Sequence, residues 1–224
     1  MLYPAGDVAG AGEALDRALA VAPQRADLLT LRGYLDLKGR DFAKAQADLS
    51  AALANDPNQL PAYIALAHLA LARRDRPEAE RLVAYAKRVE PEHPRVLLLE
   101  GLLAGGQPGQ AERVLPLLTA AAERAPNDAL VISALGMAFF ERGNFAFAVE
   151  ALRKALALTQ ASPSLHAALI AALDAQGQGA EADAAAEQWV RVQPGAAPAH
   201  WARAQRRLRQ GPVSYTHLAG DSQM

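Results

Sequence analysis

The chain contains no cysteine. That excludes disulfides, thiolate zinc sites, iron–sulfur clusters and cysteine nucleophiles. Aromatic residues make up only 5% of it, and with few β-branched residues beside them there is little material for sheets. Charge of one sign is missing too. Lys+Arg is 23 against 24 for Asp+Glu, a net charge of -1, so the long-range attraction of a basic chain to nucleic acid or anionic lipid is absent. No apolar run approaches the roughly 18 residues of a membrane span. The start, Met1-Leu2-Tyr3-Pro4, carries neither a basic stretch nor a long apolar one, so no signal peptide is expected there. What the chain has in quantity is 53 alanines and 33 leucines among 224 residues. These are the strongest helix formers, and the composition predicts an all-α protein packed through small side chains.

Prolines 23, 57, 91, 126 and 194 are separated by 34, 34, 35 and 68 residues. Proline cannot continue a helix and is common just past its end, so a helix should stop at the same place in each unit. Twelve residues before these prolines stand Ala11, Ala45, Ala79, Val114 and Ala182. Five before stand Ala18, Ala52, Ala86 and Ala121, but Trp189 in the last unit. Gly33, Ala67 and Gly101 keep a third register. The unit that lacks its proline, with Gln160 in that place, still has Gly136, Ala148 and Ala155.

Gly136, Gly143-Asn144-Phe145, Ala148 and Ala155-Leu156 resemble the tetratricopeptide repeat (TPR), and so do Asp41-Phe42-Ala43-Lys44-Ala45, Ala52-Leu53 and Asp56-Pro57. The 34-residue period with this signature is specific to that family. The resemblance implies an all-α, right-handed superhelical solenoid of antiparallel helix pairs, each a helix A followed by a helix B, with A helices lining a concave surface. Five full repeats are read at 26–59, 60–93, 94–128, 129–162 and 163–196, flanked by a half-repeat at 1–25 and a C-terminal helix at 197–210. Helices are expected at 27–38, 42–54, 61–73, 77–89, 95–104, 109–124, 130–141, 145–158, 164–176, 180–192 and 198–209. Gly6-Asp7 fits the turn of the first half-repeat, so the chain reads as a piece of a longer array. The tail 211–224 fits no repeat and reads either as a sequence scar or as a native disordered end.

Departures from the pattern locate expected irregularities. Gly105-Gly106-Gln107-Pro108-Gly109 should end its helix A near Ala104. Ile170 and Trp189 put bulk at two close-approach sites and should push helices apart there. Gly136 and Ala148 are expected to meet where helix A crosses helix B.

No nucleophile, base and orienter come together in this sequence, so no enzyme activity, cofactor or metal is expected. His166 and His200 share the fourth repeat position and read as packing histidines. Glycines 105, 106 and 109 lack the Gly-Lys-Ser/Thr and the preceding strand of a phosphate loop. Arg203, Arg206, Arg207 and Arg209 spread over more than one helix face, the pattern of a polar terminal helix rather than a nucleic-acid stripe. The resemblance instead points to the A-helix groove. Its matching positions hold Tyr34, Ile64, His68, Leu71, Leu98, Leu102, Met137 and Phe140. This lining is apolar and lacks the lysine, arginine and asparagine set of carboxylate-clamping repeats. It suits an amphipathic helix or extended apolar peptide, and the expected function is a non-enzymatic protein-binding scaffold. The alternative is an accessory module of a larger bacterial enzyme or of a polysaccharide or protein secretion machine. The alanine-rich composition suits a GC-rich bacterium, and cytoplasm or periplasm both remain open. End-to-end self-association is a further expectation; nucleic-acid binding and membrane insertion are not expected.

Overall fold

The computed structural model describes residues 8–159 and 162–209. Among the described residues there are twelve α-helices and no strand. Gly6-Asp7, Gln160 and the tail 211–224 lie outside them.

The chain divides into two compact units, one ending at Arg124 and one beginning at Ala125. The first holds α1 (Val8–Val21), α2 (Ala26–Lys38), α3 (Phe42–Asn55), α4 (Leu60–Ala72), α5 (Arg76–Val89), α6 (Pro94–Gly105) and α7 (Val114–Arg124). The second holds α8 (Ala129–Glu141), α9 (Phe145–Leu158), α10 (Pro163–Ala175), α11 (Gly179–Val192) and α12 (Ala197–Arg209). Even-numbered helices are the A helices. In either unit each starts 34 residues after the one before. Each A helix before α12 packs on the B helix that follows it, and A helices also touch within a unit, α2 on α4 and α4 on α6.

The local signals are familiar ones. Asp41 and Asp75 open α3 and α5 by accepting the backbone N–H of Lys44 at 3.2 Å and of Glu78 at 3.3 Å, which satisfies donors a helix start leaves open. Four A–B turns close in one way. The second residue past the helix takes a left-handed conformation, and the next N–H returns to the helix, as in Asp41 N–H to Asp36 O at 2.9 Å and Asn144 N–H to Phe139 O at 2.9 Å. Glycine fills the left-handed place in the second unit, Gly143 at φ 74 and Gly177 at φ 73, but arginine fills it in the first, Arg40 at φ 62 and Arg74 at φ 61. A side chain there costs on the order of 1 kcal/mol. Arg40→Gly and Arg74→Gly should therefore each stabilise by about 0.5–1 kcal/mol, less whatever the freer unfolded chain takes back. Urea unfolding checks this, and a loss of stability would contradict it.

One expected helix starts later. Residues 111–113 form a single 3-10 turn, and the α-helix begins only at Val114. Pro116 explains the delay. It has no N–H to give to residue 112, and its ring clashes with that carbonyl, so an α-helical ladder cannot run through the segment ahead of it. The helix before the turn ends at Gly105, as the Gly-Gly-Gln-Pro-Gly stretch requires.

The A–B contact has a simple rule. A Cβ added to Gly33 would stand 2.7 Å from Leu49 Cγ; at Gly101 it would stand 2.9 Å from Leu118 Cδ2, and at Gly136, 3.1 Å from Leu152 Cγ. The side chain nearest Gly136 is thus Leu152, one turn on from the Ala148 expected from the sequence. All these residues are the eighth of their helix, counting the 3-10 turn into the helix that holds Leu118. At the equivalent places stand Ala67 with Val83, and Ile170 with Ala186. Glycine goes with leucine, alanine with valine, isoleucine with alanine. The side-chain volume is shared between the two helices. Ile170 is 8% exposed and Ala186 1%, so the bulk at 170 is offset by the small residue across from it.

Trp189 is also absorbed. It is 2% exposed, stacked on His166 with centroids 5.1 Å apart, and its Nε1 donates to Gln193 Oε1 at 3.0 Å. His166 is a buried packing histidine at 6% exposure.

Candidate functional site

Tyr34, His68 and Leu102 are the ninth residues of α2, α4 and α6, and Leu71 is the twelfth of α4. Tyr34, His68 and Leu71 are half-buried, and Leu102 is 43% exposed. Tyr34 lies across the gap between consecutive A helices: its hydroxyl donates to Pro61 O of α4 at 3.0 Å. Burial pushes the Tyr34 phenol up from its ordinary pKa, with the Arg95 guanidinium on α6 acting in the opposite sense. The phenol stays protonated and remains a donor. His68 and Leu102 hold the same helix position as Tyr34 on the two A helices that follow.

Two expected lining residues do not belong to an open surface. Ile64 is 3% exposed and Leu98 fully buried. Both are the fifth residue of their helix, as is Thr30, which is 4% exposed and donates to Ala26 O at 2.7 Å. In the first unit that position points into the packing between helices, and Ile64 is part of that unit's core cluster. A substitution there would act on stability before it acted on any ligand.

In the second unit, Met137 and Phe140 are half-buried on α8. The Phe140 ring tilts against Phe145 with centroids 5.9 Å apart. Beside them is a feature the sequence reading passed over. Phe147 is 61% exposed and stacks on Phe139 at 5.4 Å. Four of the five phenylalanines of the chain fall between residues 139 and 147. The signal was available: Phe147 stands where four other B helices carry the charged residues Lys44, Glu78, Arg113 and Glu181.

The arginines of α12 are engaged within the second unit. Arg206 binds Asp174, Asp183 at 2.5 Å and the carbonyl of Gly179 at 2.8 Å; Arg207 binds Glu187 at 2.8 Å and Arg209 binds Asp174 at 3.1 Å. They fasten the helix to α10 and α11. Ties across 27 residues recur through both units, joining Tyr34 to Pro61, Gln46 to Arg73, Arg76 to Leu103, Glu80 to Gln107 and Gly179 to Arg206. Among the described residues, no three His, Asp or Glu side chains gather as a metal site would need, and no helix is long and apolar enough to cross a membrane.

No protein-family model and no curated protein matches the chain. Solved structures do. A chain of the APC/C hetero-tetramer Cut9–Hcn1 is similar with a TM-score of 0.75 at 19% identity, over 91% of this chain and 40% of that one. This chain therefore spans well under half of that relative. PilW, a widely conserved type IV pilus biogenesis factor, is similar with a TM-score of 0.63 at 18% identity, covering 85% of this chain and 96% of PilW. YrrB, described as a TPR protein with an unusual peptide-binding site, gives 0.55 at 18% identity, covering 86% of this chain and 99% of YrrB. At these identities the likeness is one of fold, and the fold is the all-α tetratricopeptide-repeat solenoid.

Proposed function

We propose that the chain is a non-enzymatic interaction scaffold that binds a peptide or helix of a partner protein on the apolar faces of its A helices. The observation that carries this is the row Tyr34, His68 and Leu102: three large side chains at one position of successive A helices, with Leu102 43% exposed. Met137 and Phe140 supply the equivalent surface of the second unit. Met and Phe adapt to irregular apolar partners, and YrrB offers a precedent for peptide binding on this fold. A second reading, an accessory module of a larger bacterial enzyme or of a secretion or pilus machine, draws support from the likeness to PilW. A catalytic or membrane domain beside the array in the full gene would favour it.

The test is a pull-down from the native host, followed by titration of the captured partner against wild type, Leu102→Glu and Phe140→Glu. Both charged variants should lose binding while keeping their helical signal. Phe140→Ala should cost about 2 kcal/mol if the ring is a central anchor. Full binding by both charged variants would move the functional surface elsewhere, with the Phe139–Phe147 stack the first place to look.

A further inference from the structure

The A–B turns of the first unit hold two arginines that the turn itself does not favour. The last residue of the A helix and the two after it are Lys38, Gly39 and Arg40 behind α2, and Ala72, Arg73 and Arg74 behind α4. The second unit has Glu141, Arg142 and Gly143 behind α8, and Ala175, Gln176 and Gly177 behind α10. Lys38 and Arg73 suit the negative end of a helix. Arg40 and Arg74 stand past that end in left-handed backbone, at φ 62 and φ 61. A side chain is strained there, and Gly143 and Gly177 make the same turn without that strain. Strain kept at one place in two successive repeats points to a use outside the fold.

The cations of these turns are also uncommitted. Lys38, Arg40, Arg73 and Arg74 are all exposed. Among the described residues Lys38, Arg40 and Arg74 hold no acid, and Arg73 binds the neutral Gln46 amide. The acids close to them in the chain are engaged. Asp41 accepts the Lys44 N–H and pairs with Lys44 Nζ at 3.0 Å, Asp75 accepts the Glu78 N–H, and Glu80 holds Arg76 at 2.9 Å. Asp36 is half-buried beside Asp48 and Asp41. The bond from Arg73 to Gln46 also sets one turn beside the other, because Gln46 stands near the start of α3. The four cations therefore line one edge of the first unit.

That edge borders the A-helix row. Lys38 and Arg40 follow Tyr34 by four and six residues, and Arg73 and Arg74 follow His68 by five and six. At 1.5 Å per residue this is about 6–9 Å along the helix axis. A partner helix about 10 Å across, laid over the row, puts its flank there. The helix α4 touches both α2 and α6, and at roughly 9 Å per helix the row takes about 18 residues of such a partner. We propose that the segment bound on the first unit is an amphipathic helix, its apolar face on Tyr34, His68 and Leu102 and its acidic flank against the four cations. This rests on that row being the binding surface, and adds the charge of the occupant. Opposite charge at an exposed edge acts mainly on encounter, and the apolar row holds the complex once formed.

The test uses the 224-residue chain and two synthetic helical peptides of about 18 residues with one leucine and methionine stripe. One peptide carries glutamate along a flank, the other lysine at the same places. The glutamate peptide should bind about tenfold tighter. The double variant Arg40→Gly with Arg74→Gly should fold at least as firmly as wild type, since it relieves the strain. It should nevertheless bind the glutamate peptide about 3–10-fold more weakly, through slower association and with less dependence on salt. Weaker binding by a chain that is no less stable is a result that a purely structural role for the arginines would not give. Leu102→Glu should lose both peptides. Equal binding of the two peptides by wild type overturns the proposal, and so does wild-type affinity for the glutamate peptide in the double variant. In either case loss of binding in Leu102→Glu would leave the row standing as the binding surface. Binding of neither peptide also overturns it, and the partner captured by pull-down then tests the row alone. A single-stranded oligonucleotide or an anionic vesicle that binds tighter than the glutamate peptide, and is lost in the double variant, overturns it by giving the edge to a nucleic acid or a lipid surface.

Discussion

Trp189→Ala should destabilise the second unit by about 3–5 kcal/mol, the usual cost of emptying a large buried aromatic site. The side chain is 2% exposed, its indole lies flat on His166 at an interplanar angle of 10°, and its N–H is held by Gln193. Truncation removes the stack and the hydrogen bond together, and leaves a void beside a histidine ring that is itself buried. Against this stands the fact that the other B helices carry alanine here: Ala52, Ala86, Ala121 and Ala155 are all fully buried. Those helices pack onto larger residues, with Leu29, Tyr63, Leu97 and Ile132 at the place that His166 takes in α10. The helix α11 packs onto α12 as well as onto α10. The helix α12 opens with Ala197, Pro198 and Ala199, and has Ala202 a turn later. An alanine at 189 would leave the His166 ring uncovered, and the site could fill only by moving a helix packed on α11, of which α12 makes the smaller contact. That movement would pull Arg206 from Asp174 and Asp183. Thermal unfolding followed by near-ultraviolet circular dichroism checks the prediction. A loss below about 1 kcal/mol would mean that α12 collapses onto α11 freely, and then the ion pairs do not hold its place.

The architecture was legible in the sequence because the signal that specifies it repeats. A proline or small residue at one position is weak evidence, but the same residue every 34 positions registers one unit against the next. The partners across a contact were less legible. Gly136 was assigned to Ala148 because both are small, yet glycine is there to receive a large side chain, and the large one is Leu152 a turn further on. The same logic hid the compensation at Ile170. Read as an isolated departure it predicts a forced opening, and only the pairing with Ala186 shows that the volume has changed sides. The candidate row was half legible for a related reason. Positions five, nine and twelve of a helix share a face, but a face does not say how far the neighbouring helix covers it. Ile64 and Leu98 fall under cover, while Leu102 does not. Phe147 lies on a B helix, outside the positions that line the family's groove, and its mark in the sequence is an apolar residue where most B helices carry a charge.

The volume-sharing rule makes the second large prediction. Gly136→Leu should cost about 3 kcal/mol, the upper part of the range for overpacked cores. Even a Cβ at residue 136 would stand 3.1 Å from both Cγ and Cδ2 of Leu152 and 3.2 Å from its backbone nitrogen, and Leu152 is fully buried with nowhere to turn. Two clashes with a side chain can be relieved by removing that side chain; a clash with the backbone cannot. The decisive measurement is therefore the double variant Gly136→Ile with Leu152→Ala, which copies into α8 and α9 the arrangement that Ile170 and Ala186 already hold in α10 and α11. Each single change should be costly, Gly136→Ile by overpacking and Leu152→Ala by about 2–5 kcal/mol through the cavity it leaves. Combined, they should recover most of the loss, giving a coupling energy on the order of 2 kcal/mol between the two positions. Additive losses in a double-mutant cycle would show that the helices are held apart at this crossing by the Leu152 backbone rather than by its side chain, and the exchange at Ile170 would then need a different explanation.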